Sequence, residues 1–144
     1  MSHYPDSSFL VSCYIQDANT RAAKACLNRI QAPLAFTGLH ALEVRNAFKL
    51  GVFRGLLSSR NAALAWTNLD ADLRSGRLIK TTVKWPVALR VAAQLSERHT
   101  ATLGTRSLDI LHIASAKAIR AAELLSFDLR QRSLAQTVGL IVAP

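Results

Sequence analysis

Short strand-like segments alternate with longer helical ones along the whole chain, and that alternation leaves few folds open. Ser2–Tyr4 reads as a first strand, with Pro5 at its end because proline would break a central ladder. Pro33–Phe36, Leu78–Val83, Leu124–Phe127 and Leu140–Val142 read as the other strands. Residues 7–16 and 19–31 read as helices, the second capped by Asn19 or Thr20 and followed by Pro33. From 39 to 53, Leu39, Leu42, Leu50 and Phe53 share one helical face, and Ala41, Val44, Phe48 and Val52 share the opposite one. A helix with two apolar stripes is expected to be buried on both sides, by its own core and by a neighbour or partner. Ser58 or Ser59 caps the next helix, with a stripe of Ala62, Ala65, Trp66, Leu69 and Leu73, and Gly76 ends it. Pro86 suits the first turn of a helix carrying Val87, Val91, Ala92 and Leu95. The Ala-rich segment 107–122 reads as a helix with Leu108, Leu111, Ser115, Ala118 and Ile119 inward, and 129–138 as a last helix ending at Gly139. Strands separated by helices require crossover connections, hence a mostly parallel sheet covered on both faces. The expected fold is α/β, a three-layer α/β/α sandwich. No linker or repeat divides the 144 residues, so residues 1–144 are read as one domain.

Charge narrows the partners. Eighteen Lys/Arg against nine Asp/Glu give a formal charge of +9 and a pI near 10.6, which favours an anionic partner. The basic residues run from Arg21 to Arg132 without a block, so folding must assemble any basic surface. The N-terminus is polar and no apolar run approaches the roughly 20 residues that span a bilayer, so a cytoplasmic protein without a membrane partner is expected. Cys13 and Cys26 are too few and too far apart for a zinc site, and read as reduced structural thiols.

Against this basic background four acids stand out. Asp6 and Asp128 follow strands, Asp109 lies in the first turn of the 107–122 helix, and Glu43 lies in the second turn of the 39–53 helix. In open parallel sheets ligands bind beyond the C-terminal strand ends, so all four can face one edge. Crowded carboxylates repel unless a cation neutralises them, and Mg²⁺ or Mn²⁺ suits an all-oxygen site. Each acid also has a plainer reading. Asp6 fits a turn, Asp109 complements a helix dipole, Asp128 caps the last helix with Gln131 completing a capping box, and Glu43 fits a solvated helix face. Spacing alone leaves both readings open.

Four blocks, Tyr-Pro-Asp-Ser-Ser-Phe-Leu-Val (4–11), Leu-Glu-Val-Arg-Asn-Ala-Phe (42–48), Thr-Arg-Ser-Leu-Asp-Ile-Leu-His-Ile-Ala-Ser-Ala (105–116) and Leu-Leu-Ser-Phe-Asp-Leu-Arg-Gln (124–131), occur in this order. Together they resemble the PIN domain, most closely the VapC toxins of bacterial type II toxin–antitoxin pairs. The resemblance covers essentially the whole chain. It implies a metal-dependent endoribonuclease whose acids Asp6, Glu43, Asp109 and Asp128 hold one or two Mg²⁺ or Mn²⁺ ions. It also implies a structured RNA substrate such as tRNA or rRNA, a cognate antitoxin and a homodimer. Ser7 and Ser126 match hydroxyl positions beside the acids, and Asn46 follows Glu43 by about one turn. The family's first strand normally carries Leu or Ile before the first acid, where this chain has Ser-His-Tyr-Pro.

Under that reading Asp6, Asp109 and Asp128 are metal ligands, direct or through water, and Glu43 can also orient the nucleophile. Ser7, Asn46 and Ser126 fix the carboxylates. Arg106, Arg45 and Lys49 are placed to contact RNA phosphates. His112, one turn beyond Asp109, fits a general base, although a buried, hydrogen-bonded histidine is the commoner use of such a position. Phe48, Val52, Leu56, Leu57 and Trp66 fit either an antitoxin groove or the core. The alternatives to an active toxin are a catalytically silent scaffold that binds RNA or protein, and a structure-specific DNA nuclease.

Overall fold

The computed structural model describes residues 2–144. Five strands, β1 (His3–Pro5), β2 (Leu34–Phe36), β3 (Leu78–Lys80), β4 (Glu123–Leu125) and β5 (Ile141–Ala143), form one sheet in the order β3-β2-β1-β4-β5. Every pairing is parallel, so the α/β/α expectation holds. β2, β3 and β4 are shorter than the sequence suggested, β3 stopping at Lys80 and not Val83, while β1 and β5 keep their length one residue further on.

Alternation within each strand builds the two cores. Leu34 and Phe36 of β2 face one layer, and Ala35 between them faces the other. The first layer holds α1 (Ser7–Tyr14), α2 (Thr20–Ile30), α3 (Gly38–Phe53) and α4 (Ser59–Ser75), packed around Phe9, Leu10, Val44, Phe48 and Leu69. The second holds α5 (Trp85–Leu95), α7 (Ser107–Ala118) and α8 (Leu129–Thr137), packed around Tyr4, Leu95, Ile113, Leu124 and Leu134. Full burial of a Leu or Phe side chain is worth about 1.5–3 kcal/mol, so these two clusters supply the main driving force.

Pro5 ends the central strand as expected. Without an N–H it cannot donate to a ladder. β1 is in register with β2 only at His3↔Leu34, but with β4 over three residue pairs. The free Pro5 carbonyl accepts instead from buried His40 Nε2 at 2.8 Å, which ties α3 to the end of β1.

Several local expectations are revised. α7 ends at Ala118 rather than 122, and Arg120 adopts a left-handed φ of 56°. Its inward face carries Asp109, Ile110, His112, Ile113, Ala114, Ser115 and Ala116, while Leu108 and Ala118 turn to solvent. Of the expected stripe Ser115 is buried and Ile119 packs against the core, but Asp109 and His112 take the inward direction in place of Leu108. On α3 one stripe is buried at Val44 and Phe48, but Leu42 is 68% and Phe53 86% exposed. The stripe begun by Leu39 is thus covered at Leu39 and partly at Leu50, and open at Leu42 and Phe53.

The helix that begins at Trp85 also does more than its pattern implied. α5 runs through a π-helical turn, Ser96–Thr100, into the short α6 (Ala101–Leu103). Gly104, at a φ of 66°, then reverses the chain toward Thr105 and Arg106. Buried Thr105 is fastened back to the π-turn, its Oγ1 lying 3.1 Å from that of Thr100. Ser58 caps α4, and Gly76 ends it at a φ of 79°. Among the described residues no helix is long and apolar enough to cross a membrane.

Candidate active site

Winding reverses between β1 and β4, because β2 and β3 lie to one side of β1 and β4 and β5 to the other. In open parallel sheets such a reversal, at the C-terminal strand ends, is where ligands bind. Asp6 leaves β1 there, its N–H still bonded to the Leu125 carbonyl of β4 at 2.8 Å. Ser126 and Asp128 leave β4 beside it.

Asp6 is fully buried and caps α1. Its Oδ1 accepts from Phe9 N–H (2.7 Å) and Ser8 Oγ (3.0 Å), and its Oδ2 accepts from Ser126 Oγ at 2.6 Å. Burial still pushes the Asp6 carboxyl above its usual range, since the bonds from Ser126 and Phe9 offset only part of the desolvation. Ser126 Oγ also accepts from the Asp128 N–H at 3.1 Å, so one hydroxyl links two acids. Asp128 caps α8 through Oδ1, which accepts from the N–H groups of Arg130 and Gln131.

Gln131 does not close the expected capping box. Its Nε2 instead crosses to Asp109 Oδ1 at 3.1 Å, because the side chain is buried against α7 and Asp109 is the acceptor within reach. Asp109 Oδ2 accepts from the Arg106 N–H (3.1 Å) and Nε (3.0 Å). Partial burial works to raise the Asp109 carboxyl, but the Arg106 guanidinium and N–H, with Gln131, more than offset it and hold the group below the usual range. The same guanidinium reaches Asp128 Oδ2 at 3.5 Å.

Glu43 joins through a histidine. His112 Nε2 lies 2.7 Å from Glu43 Oε1, and Tyr4 Oη lies 3.0 Å from Nδ1 of the same ring. Burial pushes the Tyr4 hydroxyl up, so it keeps its proton and donates to Nδ1. A carboxylate only accepts, so Nε2 carries a hydrogen and donates to Glu43. Ser7 Oγ donates to Glu43 Oε1 at 3.4 Å and lies 3.3 Å from His112 Nε2. His40 stacks beside this group, its ring centre 5.4 Å from that of His112.

Ser7 and Ser126 thus sit against the acids as the sequence suggested. Asn46 is exposed and bonds to none of these groups, and Lys49 is exposed one turn further along α3. Arg45 folds over the Trp66 ring, its guanidinium carbon 3.9 Å from the ring centre. His112, for which the sequence left two roles open, is the buried hydrogen-bonded histidine, and its partner is itself one of the four acids. The Tyr4 and Gln131 contacts went unseen because each joins residues far apart in the chain; no spacing rule reaches across 108 positions.

The donor set suits a hard divalent cation. It is all oxygen, and among the described residues Asp6 is a buried carboxyl group without a salt-bridge partner and the buried Gln131 Oε1 has no hydrogen-bond donor. Among the described residues no three acidic, His or Cys side chains close on a single point. This spread fits Mg²⁺ or Mn²⁺ held by one or two carboxylates and otherwise by water.

Comparison with known proteins decides the family. A profile of the PIN domain matches residues 3–136. The chain belongs to the PIN domain family. Solved structures with this PIN fold include VapBC2 from Rickettsia felis bound to a fragment of its promoter DNA, with a TM-score of 0.66, 15% identity, and coverage of 99% of this chain and 97% of that one. Mycobacterium tuberculosis VapC20, a sarcin–ricin-loop-cleaving toxin, gives a TM-score of 0.66 at 18% identity and 99% coverage of both chains. FitAcB from Neisseria gonorrhoeae gives 0.63 at 16% identity, covering 99% of this chain and 96% of its own. At these identities the likeness is one of fold. A search of curated protein sequences gives no match.

Proposed function

We propose that this PIN domain is the endoribonuclease toxin of a type II toxin–antitoxin pair, acting in the cytoplasm on a structured RNA such as tRNA or rRNA with Mg²⁺ or Mn²⁺. One observation carries the reading. In a basic protein, four acids stand around the switch point, tied in part to one another and to the fold: Ser126 donates to Asp6 and accepts from the Asp128 N–H, Arg106 reaches both Asp128 and Asp109, and His112 of α7 donates to Glu43. The likeness in fold to a sarcin–ricin-loop-cleaving toxin supports RNA over DNA as substrate.

Bound Mg²⁺ or Mn²⁺ supplies a water of lowered pKa and positive charge for the departing oxygen. Asp6, Asp109 and Asp128 are the residues that would hold it, one or two of them directly and the rest through water, with Asp6 kept rigid by Ser126 and the α1 cap. Glu43, held in one rotamer by His112 and Ser7, orients the attacking water. Arg106, Lys49 and Arg45 contact phosphates flanking the cut. The exposed apolar side chains at the α3–α4 end, Phe53 and Leu56, are the surface for the antitoxin, and the toxin itself is a homodimer.

The test is incubation of a structured-RNA pool with wild type and Asp6→Asn, with Mn²⁺ or with chelator. Discrete fragments that need both metal and Asp6 are expected. Mn²⁺ binding without cleavage of any RNA would favour the silent scaffold instead.

A further inference from the structure

We propose that Arg106 is an exchangeable counter-ion of the acidic site, neutralising Asp109 and Asp128 in the metal-free protein and moving to a substrate phosphate when a divalent cation is bound. The inference rests on the reading of these acids as a divalent-cation site.

The guanidinium stands where a cation belongs. It spans two carboxylates, with Nε 3.0 Å from Asp109 Oδ2, and Nη2 3.4 Å from Asp109 Oδ1 and 3.5 Å from Asp128 Oδ2. Nothing else holds it. Among the described residues those two acids are its only side-chain partners, and the side chain is 66% exposed. An arginine this exposed loses much of its attraction to solvent screening and is free to leave.

Neither acid needs the guanidinium for its orientation. Asp109 keeps the Arg106 backbone N–H on Oδ2 and Gln131 Nε2 on Oδ1, both at 3.1 Å. Asp128 keeps the N–H groups of Arg130 and Gln131 on Oδ1, at 2.9 and 3.0 Å. The fold therefore fixes both carboxylates through groups that stay in place, and fills the gap between them with one that can leave. The Arg106 backbone is itself anchored at the start of α7, so a rotation of the side chain moves charge without moving the helix.

The exchange has a direction. A guanidinium cannot share two carboxylate oxygens with a divalent cation without like-charge repulsion, so it swings to solvent, where a planar fork matches a phosphate oxygen pair. Cation and phosphate then assist each other, and linkage requires the assistance to be reciprocal. Before RNA arrives, the arginine competes with the cation; once RNA is bound, it has somewhere to go.

Isothermal titration of the full chain with MnCl₂, without RNA, separates this from an ordinary supporting salt bridge. Arg106→Gln is expected to tighten Mn²⁺ binding by about two- to fivefold, the reciprocal of the contact it removes. Arg106→Lys, which keeps the charge but loses the fork, is expected to fall between Gln and wild type. A second titration, with a short phosphorothioate RNA, is expected to show that Mn²⁺ tightens RNA binding more in wild type than in Arg106→Gln. Unchanged or weaker Mn²⁺ binding in Arg106→Gln, with wild-type binding intact, would overturn the exchange and leave the metal site standing. Absence of Mn²⁺ binding in all three proteins would overturn both.

Discussion

His112 Nε2 donates to Glu43 Oε1 across 2.7 Å while Tyr4 grips the opposite nitrogen of the same ring, so a residue of the central strand orients an acid on α3 through a histidine on α7. His112→Ala removes the link and leaves the buried Tyr4 hydroxyl without its partner. A loss of about 2–4 kcal/mol in urea unfolding is expected from the orphaned donor and the cavity. Metal-dependent cleavage should fall at least tenfold at temperatures where the variant stays folded. Full cleavage by a destabilised but folded variant would make the contact a purely structural one.

His40 gives the protein an acid-sensitive core. Burial first, then the neighbouring His112, depress it from 6.5 to about 3, although its bond to the Pro5 carbonyl resists the shift. Between those values the unfolded chain takes up a proton that the folded histidine refuses. Stability therefore falls as pH drops from about 6.5 toward 3, at up to about 1.4 kcal/mol per unit. Chemical denaturation at pH 7, 5.5 and 4.5 should show this slope, and His40→Asn should flatten it whatever it does to stability at pH 7.

Asp6 runs the other way. Its carboxyl is raised by burial above the ordinary 3.8, so the folded state keeps a proton that the unfolded chain has released, and stability falls as pH rises from about 4 through the raised value. Asp6→Asn should therefore melt no lower than wild type at neutral pH without metal, and should lose the upward Mn²⁺ shift that wild type shows. A melting point several degrees below wild type would mean that the fold uses the anion itself.

The two basic residues on α3 are expected to separate. Lys49 is exposed and free to meet a phosphate, so Lys49→Ala should weaken RNA binding and reduce its dependence on log salt by roughly 1. Arg45 lies on Trp66, and Arg45→Ala should cost about 0.5–1 kcal/mol of stability as well. Filter binding over a salt series, alongside thermal melts, would tell them apart; equal salt slopes for Lys49→Ala and wild type would remove Lys49 from the RNA surface.

The layers, and the positions of the four acids after strands or in the first two turns of helices, could be read from the sequence because both rest on local signals. The site's internal wiring could not. Glu43 and His112 are 69 positions apart, and nothing in either helix announces the other. The stripe on α7 misled because Asp109 and His112 take the inward direction that Leu108 would fill in an ordinary amphipathic helix. Leu42 and Phe53 read as core for a comparable reason: periodicity reports that a face is apolar, not what covers it.

The π-turn at Ser96–Thr100 makes chain length a variable of the active site. A wider turn admits one residue more than an α-helical turn of the same rise, and each residue of an α-helix adds about 100° of rotation. The turn thus sets the angular phase at which α6 delivers Gly104, Thr105 and finally Arg106, with the Thr100–Thr105 contact locking that phase. Substitutions along the exposed side of this segment leave the phase intact. A single deletion there would restore regular winding and pull Thr105 out of phase with Thr100, straining the loop that leads into Arg106 without altering any residue of the site.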